Sequence, residues 1–303
     1  MGAELAVSDE ARSDDDPEII RRYQESREMF LSGDTAGAIE VLKELADLEV
    51  PQAQYMLGNI YLHAAVDAPE PAAALQYFLA AAAGDFPPAF GGLGDLYYSG
   101  VGVEKSIEKA IGYYSEGAKR QDVHSLEFLA DFLTNGEHCK PNHELALPAF
   151  HDAARLGSAF ALRRLGLYYW EGKEVEQDLK RAAGLLEASA EMGDEYAAYN
   201  LAQMYDTGNS ALAMDVGKAI QLFMVAAEKG VEPALHNLGV CYSRADYSRQ
   251  DLALAAHWFH NGAEKGLKLS MESLARIYAS GEGVEVDPGK AAYWRRRAAD
   301  AVE

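Results

Sequence analysis

Cations are scarce in this sequence. Against 48 Asp and Glu stand only 27 Lys and Arg, a formal net charge of −21. Such a surface repels nucleic-acid phosphates, stays soluble and favours basic partners. Cysteine is scarcer still: Cys139 and Cys241 are too few for a disulfide framework. No apolar run is long enough to cross a bilayer, which takes roughly 20 apolar residues. The most apolar stretch, from Pro71 to Gly94, is broken at Gly84-Asp85 and Pro87-Pro88. The opening MGAELAVSDEARSDDDPEII is acidic where a secretory signal would be basic and then apolar. Ala6 stands where a myristoylation pattern requires Ser or Thr. A cytoplasmic protein is the expectation.

What the chain has in abundance is periodicity. Leu followed by Gly or Ala recurs at Leu57, Leu93, Leu129, Leu165, Leu201, Leu238 and Leu274, in steps of 36, 36, 36, 36, 37 and 36 residues. Four residues before each Leu stands a small side chain (Ala53, Ala89, Ser125, Ala161, Ala197, Ala234, Ser270). Four residues after stands an aromatic or Leu (Tyr61, Tyr97, Leu133, Tyr169, Tyr205, Tyr242, Tyr278). Offsets −4, 0 and +4 share one helical face, so the spacing predicts a buried stripe. Gly100, Gly136, Gly172, Gly208 and Gly281 close this first helix. A second helix opens at a capping residue: Ser106, Asn142, Asp178, Asp215, Asp251 or Asp287. It carries one alanine series from Ala74 to Ala291, a later one from Ala82 to Ala299, and large residues between them (Phe78, Tyr114, Phe150, Leu186, Phe223, Phe259). Strand-like alternation is absent.

The pattern predicts an all-α, right-handed α/α solenoid of about eight helix-pair repeats of 36 residues. The units run near 17–50, 51–86, 87–122, 123–158, 159–194, 195–231, 232–267 and 268–303, with residues 1–16 as a disordered acidic tail. The first helix of the first unit is polar (Arg21, Arg22, Glu25), and Arg295, Arg296 and Arg297 replace aromatic residues in the last turns, as terminal caps require. Cys139 and Cys241 fall about three repeats apart, beyond the roughly 7 Å Cα limit for bridging, so both are read as free thiols.

A small residue, Leu-Gly, Tyr, a Gly-rich loop and a Lys-Ala helix together resemble the Sel1-like repeat. The segments LGDLYYSGVGVEKSIEKAIGYY (Leu93 to Tyr114) and LARIYASGEGVEVDPGKAAYWRRRAA (Leu274 to Ala299) carry the resemblance most fully. Tetratricopeptide repeats share the Leu-Gly-Tyr core but have a period of 34 and a shorter loop. The units beginning near Gln52, Asp122 and Pro233 depart from the loop pattern, with Ala64 and Ala245 where Gly is usual. The resemblance implies an adaptor or scaffold that binds another protein.

Residues that could carry chemistry are few. His138-Cys139 with His143 lacks a fourth ligand at structural spacing. His257 and His260 flank Trp258 and Phe259 on a packing helix. Gly100-Val101-Gly102 follows no strand and is explained by the repeat. No cofactor, metal or catalytic residue is expected, and the chain is read as non-enzymatic.

A binding face is argued from the helix opposite the stripe. Offsets −5, −2, +2 and +5 centre there, and position +2 reads Asn59, Asp95, Asp131, Leu167, Gln203, Val240, Arg276. Phe160, Arg163, Leu167 and Trp170, then Tyr196, Tyr199 and Gln203, concentrate the residue types enriched in binding hot spots. Tyr98 with Asp95 extends this face toward the N-terminus. The expected site is therefore a groove centred on residues 123–230 that holds a segment of another protein. Burial of the same aromatics between adjacent first helices is the structural alternative. Asp206 is expected on the exposed stripe. Two other functions stay open: an immunity protein or inhibitor occluding a basic toxin, and a metal-dependent sensor or enzyme using the His138–His143 loop.

Overall fold

A computed structural model of the chain describes residues 16–63, 69–136, 140–244 and 250–301. Sixteen helices and no strand occur among the described residues. They are α1 (Pro17–Leu31), α2 (Thr35–Asp47), α3 (Pro51–Leu62), α4 (Pro71–Ala83), α5 (Pro87–Ser99), α6 (Ile107–Lys119), α7 (Val123–Asn135) and α8 (His143–Arg155). There follow α9 (Ala159–Glu171), α10 (Leu179–Glu191), α11 (Glu195–Thr207), α12 (Val216–Glu228), α13 (Pro233–Ser243), α14 (Leu252–Glu264), α15 (Lys268–Ser280) and α16 (Pro288–Asp300). They form two compact units, residues 1–156 and 157–303. Within each unit, odd and even helices pair as antiparallel neighbours, and each even helix also packs on the next odd one. His138, Cys139, Ala64, Ala245 and residues 1–15 lie outside the described residues.

The Leu-Gly signature has a steric cause. A Cβ added at Gly58, Gly94 or Gly239 would come within 2.6 Å of the ring of Phe78, Tyr114 or Phe259 respectively, and one at Gly166 within 2.9 Å of Leu186. In these four repeats the large side chain of the even helix lies directly on the backbone of its odd partner. Phe78, Tyr114, Phe150, Phe223 and Phe259 at this position of the even helices are all fully buried, each worth roughly 1.5–3 kcal/mol of apolar transfer.

A second close approach joins consecutive repeats. The small residue at −4 is buried in every repeat, and where it is serine the residue facing it is glycine. Gly117 meets Ser125, and Gly262 meets Ser270, so closely that an added Cβ would fall 2.2 and 2.4 Å from the serine Oγ atoms. The facing position stands one residue before the later alanine series. The buried small positions are Ala81, Gly117, Ala153, Ser189, Ala226, Gly262 and Ala298, one residue earlier than Ala82 to Ala299, of which only Ala263 is itself buried. The helical phase set by the deep ring residue, four after Ala74 and its equivalents, turns that earlier position toward the next repeat.

The capping residues act as their types require. Ser106, Asn142, Asp178, Asp215, Asp251 and Asp287 each accept the amide of the residue three positions on, at 2.9–3.3 Å. Their own amides donate to the carbonyl at position +4 of the preceding helix, as Asp178 does to Tyr169 at 3.0 Å. Side-chain caps also start four odd helices, at Asp16, Asp122, Ser158 and Asp194.

The +4 tyrosines are less buried than the stripe implied. Tyr61 is buried, but Tyr97, Tyr169, Tyr205, Tyr242 and Tyr278 are only half-buried. Four of these rings lie under the cation of the Lys-Ala element. Lys109, Arg181, Lys218 and Lys290 place their cations 4.1–5.1 Å from the ring centroids of Tyr97, Tyr169, Tyr205 and Tyr278. Each tyrosine closes its repeat at the rim, under a cation that keeps contact with water.

The turn between repeats uses one left-handed residue throughout: Glu49, Asp85, Gln121, Gly157, Gly193, Gly230 and Gly266, with φ between 56° and 98°. In the first three the residue is not glycine and carries the strain of that conformation, roughly 1–2 kcal/mol. Gln121 is exposed, so Gln121→Gly is expected to raise stability by up to about 1 kcal/mol after the entropic cost of glycine, measured by urea denaturation. Gly117→Ala is expected to destabilise by about 1–3 kcal/mol through overpacking against Ser125. Adding Ser125→Ala removes the facing Oγ and is expected to recover part of that loss, a coupling visible in a double-mutant cycle.

Candidate partner-binding site

Unit one contains an open cavity of about 450 Å³ between α3, α5 and the start of α7. Asn59, Asp95 and Tyr98, three residues assigned to the binding face from sequence, all line it. Leu62, Phe78 and Leu96 supply apolar wall, and the structure adds Tyr55, His63, Asp122 and His124, which the sequence reading missed. His124 lies at offset −5 of its helix and Asp95 at +2 of the preceding odd helix. The pattern had singled out both offsets, but only the stacking shows that they meet.

Asp95 is the polar centre. The Tyr114 hydroxyl donates to Asp95 Oδ1 at 2.5 Å, and His124 Nε2 lies 2.9 and 3.0 Å from Asp95 Oδ1 and Oδ2. Tyr114 is fully buried; desolvation first, then the bond to Asp95, holds its hydroxyl protonated far above the ordinary phenol range. It is a fixed donor that orients the carboxylate. The Asp95 hydrogen bond raises His124 above the ordinary imidazole range, against the opposing effect of burial. Asp122 is buried, and its Oδ2 accepts from both the Ser125 amide and hydroxyl. Asp131 sits further along α7, half-buried and away from the cavity, its carbonyl accepting from Thr134 Oγ1 at 2.9 Å.

Unit two brings together the remaining residues assigned from sequence, in a different manner. Arg163 Nε donates to Asp194 Oδ2 at 2.9 Å, with the two side chains only 16% and 11% exposed. The same guanidinium lies 5.1 and 5.4 Å from the ring centroids of Phe160 and Tyr196. Arg163 is therefore engaged within the fold, bridging α9 to the cap of α11. Tyr199 accepts from Gln203 and Asn237 through its hydroxyl and packs on Phe223 at 5.6 Å. Leu167 and Trp170 are half-buried, Trp170 against the core of α10 and α11. Tyr196 is the most open of the set, 52% exposed.

Asp206 corrects an expectation of exposure. Its side chain is 19% exposed and pairs with Arg244 at 2.8 Å, while the Cys241 thiol lies 3.6 Å away. The end of α13 covers it, a contact 38 residues away in sequence. Burial pushes the Cys241 thiol up to about 12, so it is inert as a nucleophile. The metal reading cannot be followed at His138 and Cys139, which lie outside the described residues. Of the other histidine pair, His257 Nε2 is 3.1 Å from Asn261 Nδ2, and the His260 ring packs edge-on against Trp294.

Two outcomes follow from these geometries. Arg163→Ala leaves the Asp194 carboxylate buried without its cation and is expected to cost about 3 kcal/mol in urea denaturation, a loss of fold as well as surface. For His124, a raised folded pKa means stabilisation fully present below the unfolded value of about 6.5 and lost as pH rises through the folded value. The melting-temperature gap between the wild type and His124→Gln is expected to be widest near pH 6 and to narrow toward about pH 9.

The comparisons with known proteins agree on one architecture. A Sel1 repeat protein from Oxalobacter formigenes superposes with a TM-score of 0.71 at 24% identity, over 80% of this chain and 99% of that one, which shows the fold. A protective antigen of uropathogenic Escherichia coli displaying an SLR fold gives a TM-score of 0.56 at 26% identity, over 93% of this chain and 69% of that one. An uncharacterized protein of Neisseria meningitidis serogroup B is 27% identical over 224 residues, 64% of this chain and 47% of that relative. The present chain thus spans about half the length of that curated relative. No described helix is long and apolar enough to cross a membrane. The Sel1 repeat family model matches residues 51–86, 92–122, 159–194, 195–231, 232–267 and 269–301. With six repeats matched and every one of them built as a helix pair, the chain belongs to the Sel1 repeat family.

Proposed function

We propose that this protein is a non-catalytic, cytoplasmic scaffold, monomeric by itself, that holds a segment of a partner protein against its odd helices. The observation that carries this reading is the cavity of unit one. Aromatic rings, aliphatic wall and a few fixed polar groups converge there from three helices, the composition typical of a recognition pocket. Its polar groups are oriented in advance: Tyr114 holds Asp95, and Asn59 Nδ2 donates to the Tyr55 carbonyl at 3.1 Å. Preorganisation of this kind lowers the entropic cost of binding. The reactive groups argue the same way, since the buried Tyr114 is locked as a donor and the Cys241 thiol stays protonated. Within unit two, exposed Tyr196 and half-buried Trp170 are proposed as further contacts, with Arg163 and Tyr199 supporting them from below.

The test is quantitative recovery of partners from the native host, with the full chain as bait. Tyr98→Ala is expected to weaken capture of the specific partner by about 2 kcal/mol, roughly thirtyfold, while the circular dichroism melt stays cooperative. Trp170→Ala tests the unit-two contact in the same experiment. An identical set of captured proteins, in identical amounts, from the wild type and both variants would sink the assignment.

A further inference from the structure

The cavity of unit one carries a charge pattern that a generic protein-binding pocket does not require. The Asp95 carboxylate opens onto it beside the rings of Tyr55 and Tyr98, the buried Asp122 and Phe78 stand behind them, and neither lysine nor arginine is among its lining residues. Asp95 keeps 47% of its side chain exposed despite its two internal partners. Carboxylate and ring are the two surfaces that attract an organic cation, the first by charge and the second by its quadrupole.

This chain's own cations already mark both surfaces. His124 sits on the Asp95 carboxylate at 2.9 Å, and Lys105 Nζ stands 5.5 Å from the centroid of the Tyr98 ring. Each occupies one half of what a single planar cation would join. A guanidinium fits both halves at once, since it stacks on aromatic rings and pairs with a carboxylate through a fixed fork of donors. It is also weakly hydrated compared with an ammonium. A volume of about 450 Å³ admits such a head group with its aliphatic stem, which Leu62 and Leu96 would contact.

We propose that the cavity receives an arginine side chain projected by the partner protein, with Asp95 accepting from its guanidinium and Tyr98 stacking on it. The proposal rests on the scaffold reading and names the chemistry of the segment held. It accords with the charge of −21, which steers basic segments toward this surface at long range.

The experiment uses the full chain and three probes: the blocked tripeptide Gly-Arg-Gly, its neutral isostere with citrulline in place of arginine, and tetramethylammonium. Binding is followed by NMR shifts of the His124, Tyr55 and Tyr98 side chains across a rising pH series, in which His124 progressively gives up the charge it places on Asp95. The arginine peptide is expected to bind at least about tenfold tighter than the citrulline peptide. Asp95→Asn and, independently, Tyr98→Leu are expected to erase that preference with the helical dichroism intact. Lys105→Ala, which removes the competing cation from the ring, is expected to strengthen binding severalfold. Lowering the pH to about 6 is expected to weaken it, because protonated His124, flanked by Asp95, Asp122, Glu127 and Tyr114, then claims the carboxylate. Equal binding of the citrulline peptide, absence of shifts at the cavity, or tighter binding of tetramethylammonium than of arginine would each overturn the proposal. Loss of arginine preference with Tyr98-dependent partner capture preserved would remove the cation assignment and leave the scaffold standing.

Discussion

A large side chain resting on the bare backbone of its partner helix is the contact on which the rest of this structure depends. Phe78 on Gly58, Tyr114 on Gly94 and Phe259 on Gly239 bring odd and even helices together at a distance that any Cβ would forbid. That approach fixes the phase of both helices. The phase of the even helix then decides which small residue faces the next repeat, and hence the pairing of Gly117 with Ser125 and of Gly262 with Ser270. The two approaches compensate in volume: where the −4 residue is serine, the residue opposite is glycine.

The same geometry generates the candidate site. Tyr114 fills the ring position of its repeat, yet its hydroxyl reaches past Gly94 to Asp95 on the far side of α5. A phenylalanine there, as at Phe78 or Phe150, would pack equally well and donate nothing. The core residue of one repeat therefore holds the carboxylate of the binding face, and His124 of the following repeat completes its coordination. Core and site are connected by a single hydroxyl group, so the orientation of Asp95 follows from the same packing that makes the helix pair.

The two units use equivalent positions differently. In unit one, the residue at −5, His124, reaches back to a partly exposed acid beside an open cavity. In unit two, Phe160 and Tyr196 at −5 close around Arg163, whose charge is met by the Asp194 cap. Arginine and aromatics, the residue types that mark interfaces, here also serve as struts between adjacent helices. Composition alone does not separate these roles, because a guanidinium between two rings has the same sequence whether its third neighbour is a partner or an aspartate of the same chain.

What the sequence by itself determined is whatever recurs with the period: the helix pairs, their capping residues, the Leu-Gly contact and the family. Periodic features report local backbone geometry and nearest-neighbour packing, and both are encoded within one repeat and its neighbour. Tertiary structure alone decided the departures from the period. It showed the +4 tyrosines half-buried under Lys and Arg, the second small series one residue early, and Asp206 covered by the end of α13. It also gathered Tyr55, Asp95, Tyr98, Asp122 and His124 into one cavity. The physical reason is reach. A side chain such as Arg244 or His124 meets a partner 29 to 38 residues away, and its direction there depends on the stagger between helices, which no spacing within the chain expresses.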